Sequence, residues 1–149
     1  MDRRNCWQVL LGRSGQAVDL ARQGCTVAAQ RVSQLEAQMQ RLQTLQADYA
    51  RRLREAQDRA QGISQTVSYR NFLAQIGTLI ERTGKDLGAA EAVLAAARRD
   101  LQRCEREQNK YEALVEREDV RVIRAEEVAE QKMLEELATS RYIQQHRSA

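Results

Sequence analysis

Proline is absent from the 149 residues, only six side chains are aromatic, and there is one histidine. Without proline the usual breaker of helix interiors is missing. With so few aromatic and β-branched residues there is little material for strands. All-β and doubly wound α/β folds are therefore excluded as readings. Cysteine is scarce as well. Cys6, Cys25 and Cys104 are too few and too scattered for a disulfide framework or a C-x-x-C metal site. Long apolar runs are missing too, since no stretch approaches the roughly 18–20 residues a membrane span requires. Arg3-Arg4 is followed by Cys6-Trp7-Gln8-Val9-Leu10-Leu11, but Gly12 and Arg13 break that segment well short of a signal-peptide core. The chain reads as cytoplasmic and soluble.

What is present is equally one-sided. Ala, Glu, Lys, Leu and Arg account for 74 residues, half the sequence. That composition marks a coiled coil or long helix when a 3.5-residue period accompanies it. The 42% of hydrophobic residues recur at regular intervals, which argues against disorder. Twenty-four basic residues nearly balance 21 acidic ones, leaving a net charge of +3. Such a balance fits solvated helix faces better than a nucleic-acid footprint, and no nucleic-acid partner is expected. Residues 1–62 carry 10 basic and 6 acidic side chains and residues 98–149 carry 11 and 12, an asymmetry that favours antiparallel pairing but is screened by salt.

The heptads supply the architecture. With a at Leu11, the a series runs Leu11, Val18, Cys25, Val32, Met39, Gln46, Leu53 and Ala60. The d series runs Ser14, Ala21, Ala28, Leu35, Leu42, Tyr49, Ala56 and Ile63. Fourteen of these 16 positions are apolar, a strong helical seam. A second series restarts near residue 69. Its a positions run from Leu73 to Ala129 and its d positions from Tyr69 to Ala125, and 15 of the 18 are apolar. Gln46 and Gln108 are polar seam residues of the kind that fix register.

Gln61-Gly62-Ile63-Ser64-Gln65-Thr66-Val67-Ser68 separates the two series. Gly62 can end a helix in the left-handed conformation, and Ser64, Thr66 or Ser68 can cap the next one. A short connection between two long helices makes them antiparallel neighbours. The expected fold is all-α: one antiparallel two-helix coiled-coil hairpin over residues 1–149. Helix 1 is expected over about residues 5–61, the bend over 62–67 and helix 2 over 68–143. At about 1.5 Å per residue the helices would span roughly 80 and 110 Å, so the C-terminal helix should overhang its partner. After Ala129 the apolar residues step to Met133 and Leu137, out of the earlier register. Gly77, Gly84 and Gly88 weaken the helix just after the bend.

A coiled-coil hairpin encloses no substrate cleft, and nothing here points to catalysis, a metal or a cofactor. His146 has no second ligand at helical spacing. Carboxylate pairs such as Glu126/Glu130 and Glu135/Glu136 read as solvated helix faces rather than acid–base pairs. Cys25 and Cys104 fall on the seam and read as packed thiols, not a disulfide.

Two surfaces exceed what the seam needs. Gln38, Leu42, Leu45 and Tyr49 step by four, three and four residues, as do Phe72, Ile76, Leu79 and Thr83. Paired in reverse order, 38 with 83, 42 with 79, 45 with 76 and 49 with 72, the numbers keep a constant sum. In an antiparallel pair that means equal height, so the eight can form one strip, and an exposed apolar strip marks a partner site. Nearby lie Arg51, Arg52, Arg54 and Arg59, read as a solvated basic face. The second surface is the tail, EEVAEQKMLEELA over residues 126–138. Glu126, Glu127, Glu130 and Glu135 lie there with Lys132, and Met133 and Leu137 supply apolar contacts. An amphipathic helix without an internal partner suggests docking to another protein.

Leu42-x-x-Leu45-x-x-x-Tyr49-x-x-x-Leu53, then Gly62, then Tyr69-x-x-Phe72 resemble the FliJ family of the flagellar protein-export apparatus, and more distantly its counterpart in injectisome type III secretion. Lys110-Tyr111-Glu112-Ala113-Leu114 and Glu130-Gln131-Lys132-x-x-Glu135-Glu136-x-Ala138 extend the resemblance. It implies a non-enzymatic coiled-coil stalk like the central stalk of rotary ATP synthases. The joined ends would sit in the hexameric export ATPase and promote its assembly, with Glu126, Glu127, Glu130, Lys132, Met133, Glu135 and Leu137 as contacts. It also implies contacts with a membrane export-gate protein and with export chaperones, placing the chain peripherally at the cytoplasmic face of the inner membrane. Gln38, Leu42, Tyr49 and Phe72 match the family's gate-binding cluster directly, and Leu45, Ile76, Leu79 and Thr83 occupy the accompanying positions. An injectisome stalk and a purely structural homodimeric coiled coil are the alternative readings.

Overall fold

A computed structural model describes residues 3–59 and 62–147. It contains two helices, α1 (Arg3–Asp58, 56 residues) and α2 (Ile63–Arg147, 85 residues), and no strand among the described residues. The fold is an all-α helical hairpin. The expected boundaries shift at the bend, because α2 starts at Ile63 rather than near residue 68. The carbonyl of Gly62 accepts the N–H groups of Gln65 at 3.1 Å and Thr66 at 3.4 Å, so helical bonding begins at once. Ser64, Thr66 and Ser68 thus lie inside the first turns of α2 and cap nothing. At the end of α1, Arg59 N–H still donates to the Glu55 carbonyl at 3.0 Å. Ala60, a predicted seam residue, lies outside the described residues. At the other end His146 and Arg147 occupy the last turn of α2, where positive charge complements the helix dipole.

The contacts divide the chain into two compact units, a bend unit of Asp19–Arg103 and a terminal unit of Met1–Val18 with Cys104–Ala149. In the bend unit Val32, Leu35 and Ala90 form a buried cluster against which Leu87 and Leu94 pack. Ala21, Ala28, Ala56 and Ile76 are also buried there. Among the described residues the seam positions of this unit are buried or half-buried with two exceptions, Gln46 and Ile63, which are exposed. Gln46 therefore does not act as a register-fixing residue in the core. A Cβ on Gly84 would sit 3.6 Å from Met39 Cε, which places Met39 over that glycine.

In the terminal unit the first turns of α1 run against α2. Val18 and Cys104 are buried, and the Ser14 hydroxyl, also buried, donates to the Leu11 carbonyl at 2.7 Å. Trp7 meets Tyr111 with ring centroids 6.3 Å apart. Gln108 is half-buried beside Gly15, its Nε2 3.6 Å from where a Cβ would stand. The burial of α2 ends at Val122, and Ile123–Arg147 is exposed on every side. The seam thus ends one heptad before the expected last position, leaving Ala125 and Ala129 in solvent. Cys25 is half-buried, Cys104 is buried and Cys6 is exposed, and all three are free thiols.

Candidate functional site

The strip near the bend is built on Tyr49. Its ring meets Phe72 at 4.4 Å between centroids and Tyr69 at 6.0 Å in an edge-on arrangement, and the Arg52 guanidinium lies 5.2 Å from its centre. Aromatic pairs of this kind contribute about 0.5–1.5 kcal/mol beyond area burial, so the cluster locks the first turns of α2 against α1. Asp48 holds Arg51 at 2.5 Å and Arg52 at 3.4 Å, steadying Arg52 over the ring. Tyr69 and Arg52 were not assigned to the strip from sequence. The signal for Tyr69 was available, since it is a seam position that faces Tyr49 one turn before Phe72.

The eight predicted strip residues divide into two groups. Gln38, Leu45, Phe72 and Leu79 are exposed, and Leu42 and Tyr49 are half-buried at their edge. Ile76 and Thr83 are 2% and 3% exposed and belong to the core. The expectation of an eight-residue surface strip is corrected to this extent. Ile76 and Thr83 are seam d positions, and the partner helix covers them while leaving Phe72 and Leu79 on the flank. What the bend unit leaves in solvent is an apolar ridge of Leu45, Phe72 and Leu79, edged by Leu42, Tyr49 and Gln38.

The tail is a surface of a different kind. Glu126, Glu127, Glu130, Lys132, Met133, Glu135 and Leu137 are all exposed on a continuous helix. Met133, Leu134 and Leu137 are large apolar side chains left in solvent with Ile123 and Val128. Within α2 they recur at helical spacing, so Met133, Leu134, Leu137 and Ile123 fall on one side. Residues 126–136 carry five carboxylates and one lysine.

Between the seam and the tail lies an acidic residue with an unusual setting. Glu118 occupies a seam position and is 7% exposed. Arg121, one turn on, donates to its Oε1 from two nitrogens, at 3.0 and 2.6 Å. That hydrogen bond, with the charges of Arg121 and Arg3, holds the Glu118 carboxyl below its usual range despite the opposing effect of burial. Beside it Arg4 Nε lies 2.9 Å from Asp119 Oδ1. The N-terminal turn of α1 is thus held by the Trp7–Tyr111 contact and the Arg4–Asp119 ion pair, with the Arg3 charge acting on Glu118, and sequence reasoning singled out neither contact. Trp7 does fall one heptad before Ser14, so extending the seam by one step would have found it.

Among the described residues no group of His, Cys, Asp and Glu could hold a metal ion, and no helix is long and apolar enough to cross a membrane. The surface depressions are shallow and open.

The geometry can be set beside known proteins. No curated protein matches the chain. The solved structure of CT670 from Chlamydia trachomatis, described as a YscO homolog, superposes with a TM-score of 0.71 at 15% identity, over 97% of this chain and 93% of that one. At that identity the likeness concerns the fold, a helical hairpin with a matching span. The sequence model of the family described as flagellar FliJ protein matches residues 7–147, which includes the aromatic ridge, Glu118 with Arg121, and the exposed tail. The chain belongs to the FliJ family, whose members are non-enzymatic components of flagellar protein export.

Proposed function

We propose that this chain is a coupling stalk that binds the hexameric export ATPase through its exposed tail and a membrane export-gate protein through the ridge at the bend. The observation that carries the reading is the tail itself. Twenty-five consecutive residues, Ile123–Arg147, form helix that is exposed throughout, although most helical stability in proteins comes from packing an amphipathic face. Met133, Leu134 and Leu137 remain in solvent there. Docking against a partner would bury them and supply the stabilisation that the hairpin does not. The carboxylates around them favour a basic receiving surface.

At the bend, Leu45, Phe72 and Leu79 supply an apolar contact held rigid by Tyr49. Rigid aromatic anchors bind at low entropic cost. Export chaperones are further partners of the stalk, and its partners hold the chain peripherally at the cytoplasmic face of the inner membrane.

The test is the oligomeric state and ATP turnover of the cognate export ATPase with and without the chain. Promotion of hexamers and faster turnover, both lost when residues 123–149 are removed, is the expected result. No change in either refutes the ATPase reading. For the gate, Leu45→Ala with Phe72→Ala should weaken binding in a pull-down while helicity stays intact. Unchanged binding removes the ridge from the proposal.

A further inference from the structure

Ile63, the first residue of α2, is 84% exposed, the highest value among the large apolar side chains. Val67, one turn on, is exposed as well. Neither belongs to the ridge. Relative to the seam of α2, Phe72 and Leu79 fall on one flank, whereas Ile63, Val67, Arg70 and Ala74, spaced by four, three and four residues, fall on the other. Arg54 and Gln57 occupy the corresponding flank at the end of α1. This second flank holds two arginines and no carboxylate. Arg54 and Arg70 are exposed, as is Arg59 in the turn, and none of the three has an ion pair among the described residues.

Two protruding branched side chains near three exposed arginines, which outnumber the exposed Glu55 and Asp58 of the same turn, have a specific chemical complement. A stable protein–protein interface buries roughly 1,200–2,000 Å² in total with a packed apolar core. Two apolar side chains at a turn cannot form such a core. A bilayer surface has no such requirement. It accepts isolated apolar side chains at the depth of its headgroups, and anionic headgroups attract each nearby arginine by about a factor of five. The absence of a membrane-spanning helix among the described residues limits the contact to the interfacial layer.

We infer that the tip of the bend, through Ile63 and Val67 with Arg54, Arg59 and Arg70, docks directly on an anionic lipid surface. This contact is distinct from the ridge and from any gate protein, since Ile63, Val67, Arg54 and Arg70 lie on the opposite flank and Arg59 lies in the turn beyond the ridge.

The experiment is co-sedimentation of the full chain with vesicles of equimolar phosphatidylcholine and phosphatidylglycerol, against pure phosphatidylcholine. Binding should require the anionic lipid and fall as salt rises. Arg54→Ala with Arg70→Ala should lower the apparent partition coefficient by about 25-fold at low salt, the product of two single-arginine factors. Ile63→Ser with Val67→Ser should lower it too, whereas Phe72→Ala should leave it unchanged. An Ile63→Trp substitution in a Trp7→Phe chain gives a direct readout, because its emission should shift to the blue on anionic vesicles. Absence of binding by the folded chain overturns the inference. So does equal binding to both vesicle types, an unshifted emission, or capture of the tip by an acidic protein with no affinity for vesicles.

Discussion

Ile76 and Leu79 stand three residues apart in the same predicted strip, yet the structure gives them different work. Ile76 is 2% exposed and Leu79 is 46% exposed. Ile76→Ala removes three carbons from full burial, about 2.5 kcal/mol at ~0.8 kcal/mol each. The better helix propensity of Ala returns roughly 0.4 kcal/mol and a residual void adds a similar amount, leaving a loss of about 2.5 kcal/mol. Leu79→Ala gives up about half of the same transfer term and leaves no void, so the loss is about 1.2 kcal/mol. For a chain of this size each kcal/mol moves the melting midpoint by about 3 °C, so the shifts are about 8 °C and about 4 °C. Thermal melts followed by far-ultraviolet circular dichroism measure both. Below the transition the two variants should exchange rank in a gate-binding assay. Ile76→Ala keeps the ridge and should bind normally, while Leu79→Ala should bind more weakly. Equal losses of stability, or the greater loss at Leu79, refute the assignment of core and surface.

Gly77 and Gly88 have open space around a would-be Cβ, and neither has a positive φ, so Gly77→Ala and Gly88→Ala should each stabilise the bend unit by about 1 kcal/mol in urea titration. Glu118 titrates below its ordinary value of 4.5 in the folded state. Its contribution to stability is therefore complete above that pH, declines as pH falls below it, and is gone once the folded pKa is passed. Glu118→Gln should flatten that acid-limb loss, and an unchanged pH–stability profile counts against the pairing with Arg121. Arg4→Ala removes a half-exposed ion pair and should cost at most about 1 kcal/mol, less in high salt. Truncation after Val122 should reduce the helical signal without moving the melting midpoint of what remains, because Ile123–Arg147 is exposed throughout and contributes nothing to the buried seam.

Much of this architecture is written in one dimension. Apolar residues at alternating three- and four-residue steps, with no proline to interrupt them, specify helix and a seam whatever the surroundings. The free tail follows from the same pattern, because a helix with nothing opposite it has no reason to keep a register, although the seam ends at Val122, one heptad before the pattern's last position. The paired steps around Tyr49 and Phe72 likewise put two aromatic rings at one height.

Other features depend on distances that periodicity does not contain. A four-three-four stripe covers more of a helix circumference than a partner helix can cover. Which members lie beneath the partner, Ile76 and Thr83, and which stay on its flank, Phe72 and Leu79, is decided by how the two helices meet. For the same reason Gln46 occupies a seam position and is exposed. The start of α2 at Ile63 depends on the Gly62 carbonyl reaching two amides at once, a local geometry that several serines and a threonine in the segment obscured. The pairing of Glu118 with Arg121 in the seam, and of Arg4 with Asp119 across it, required side chains in place. Sequence by itself determined which faces are apolar; tertiary packing decided how much of each face water still reaches, and a docking surface exists only where it does.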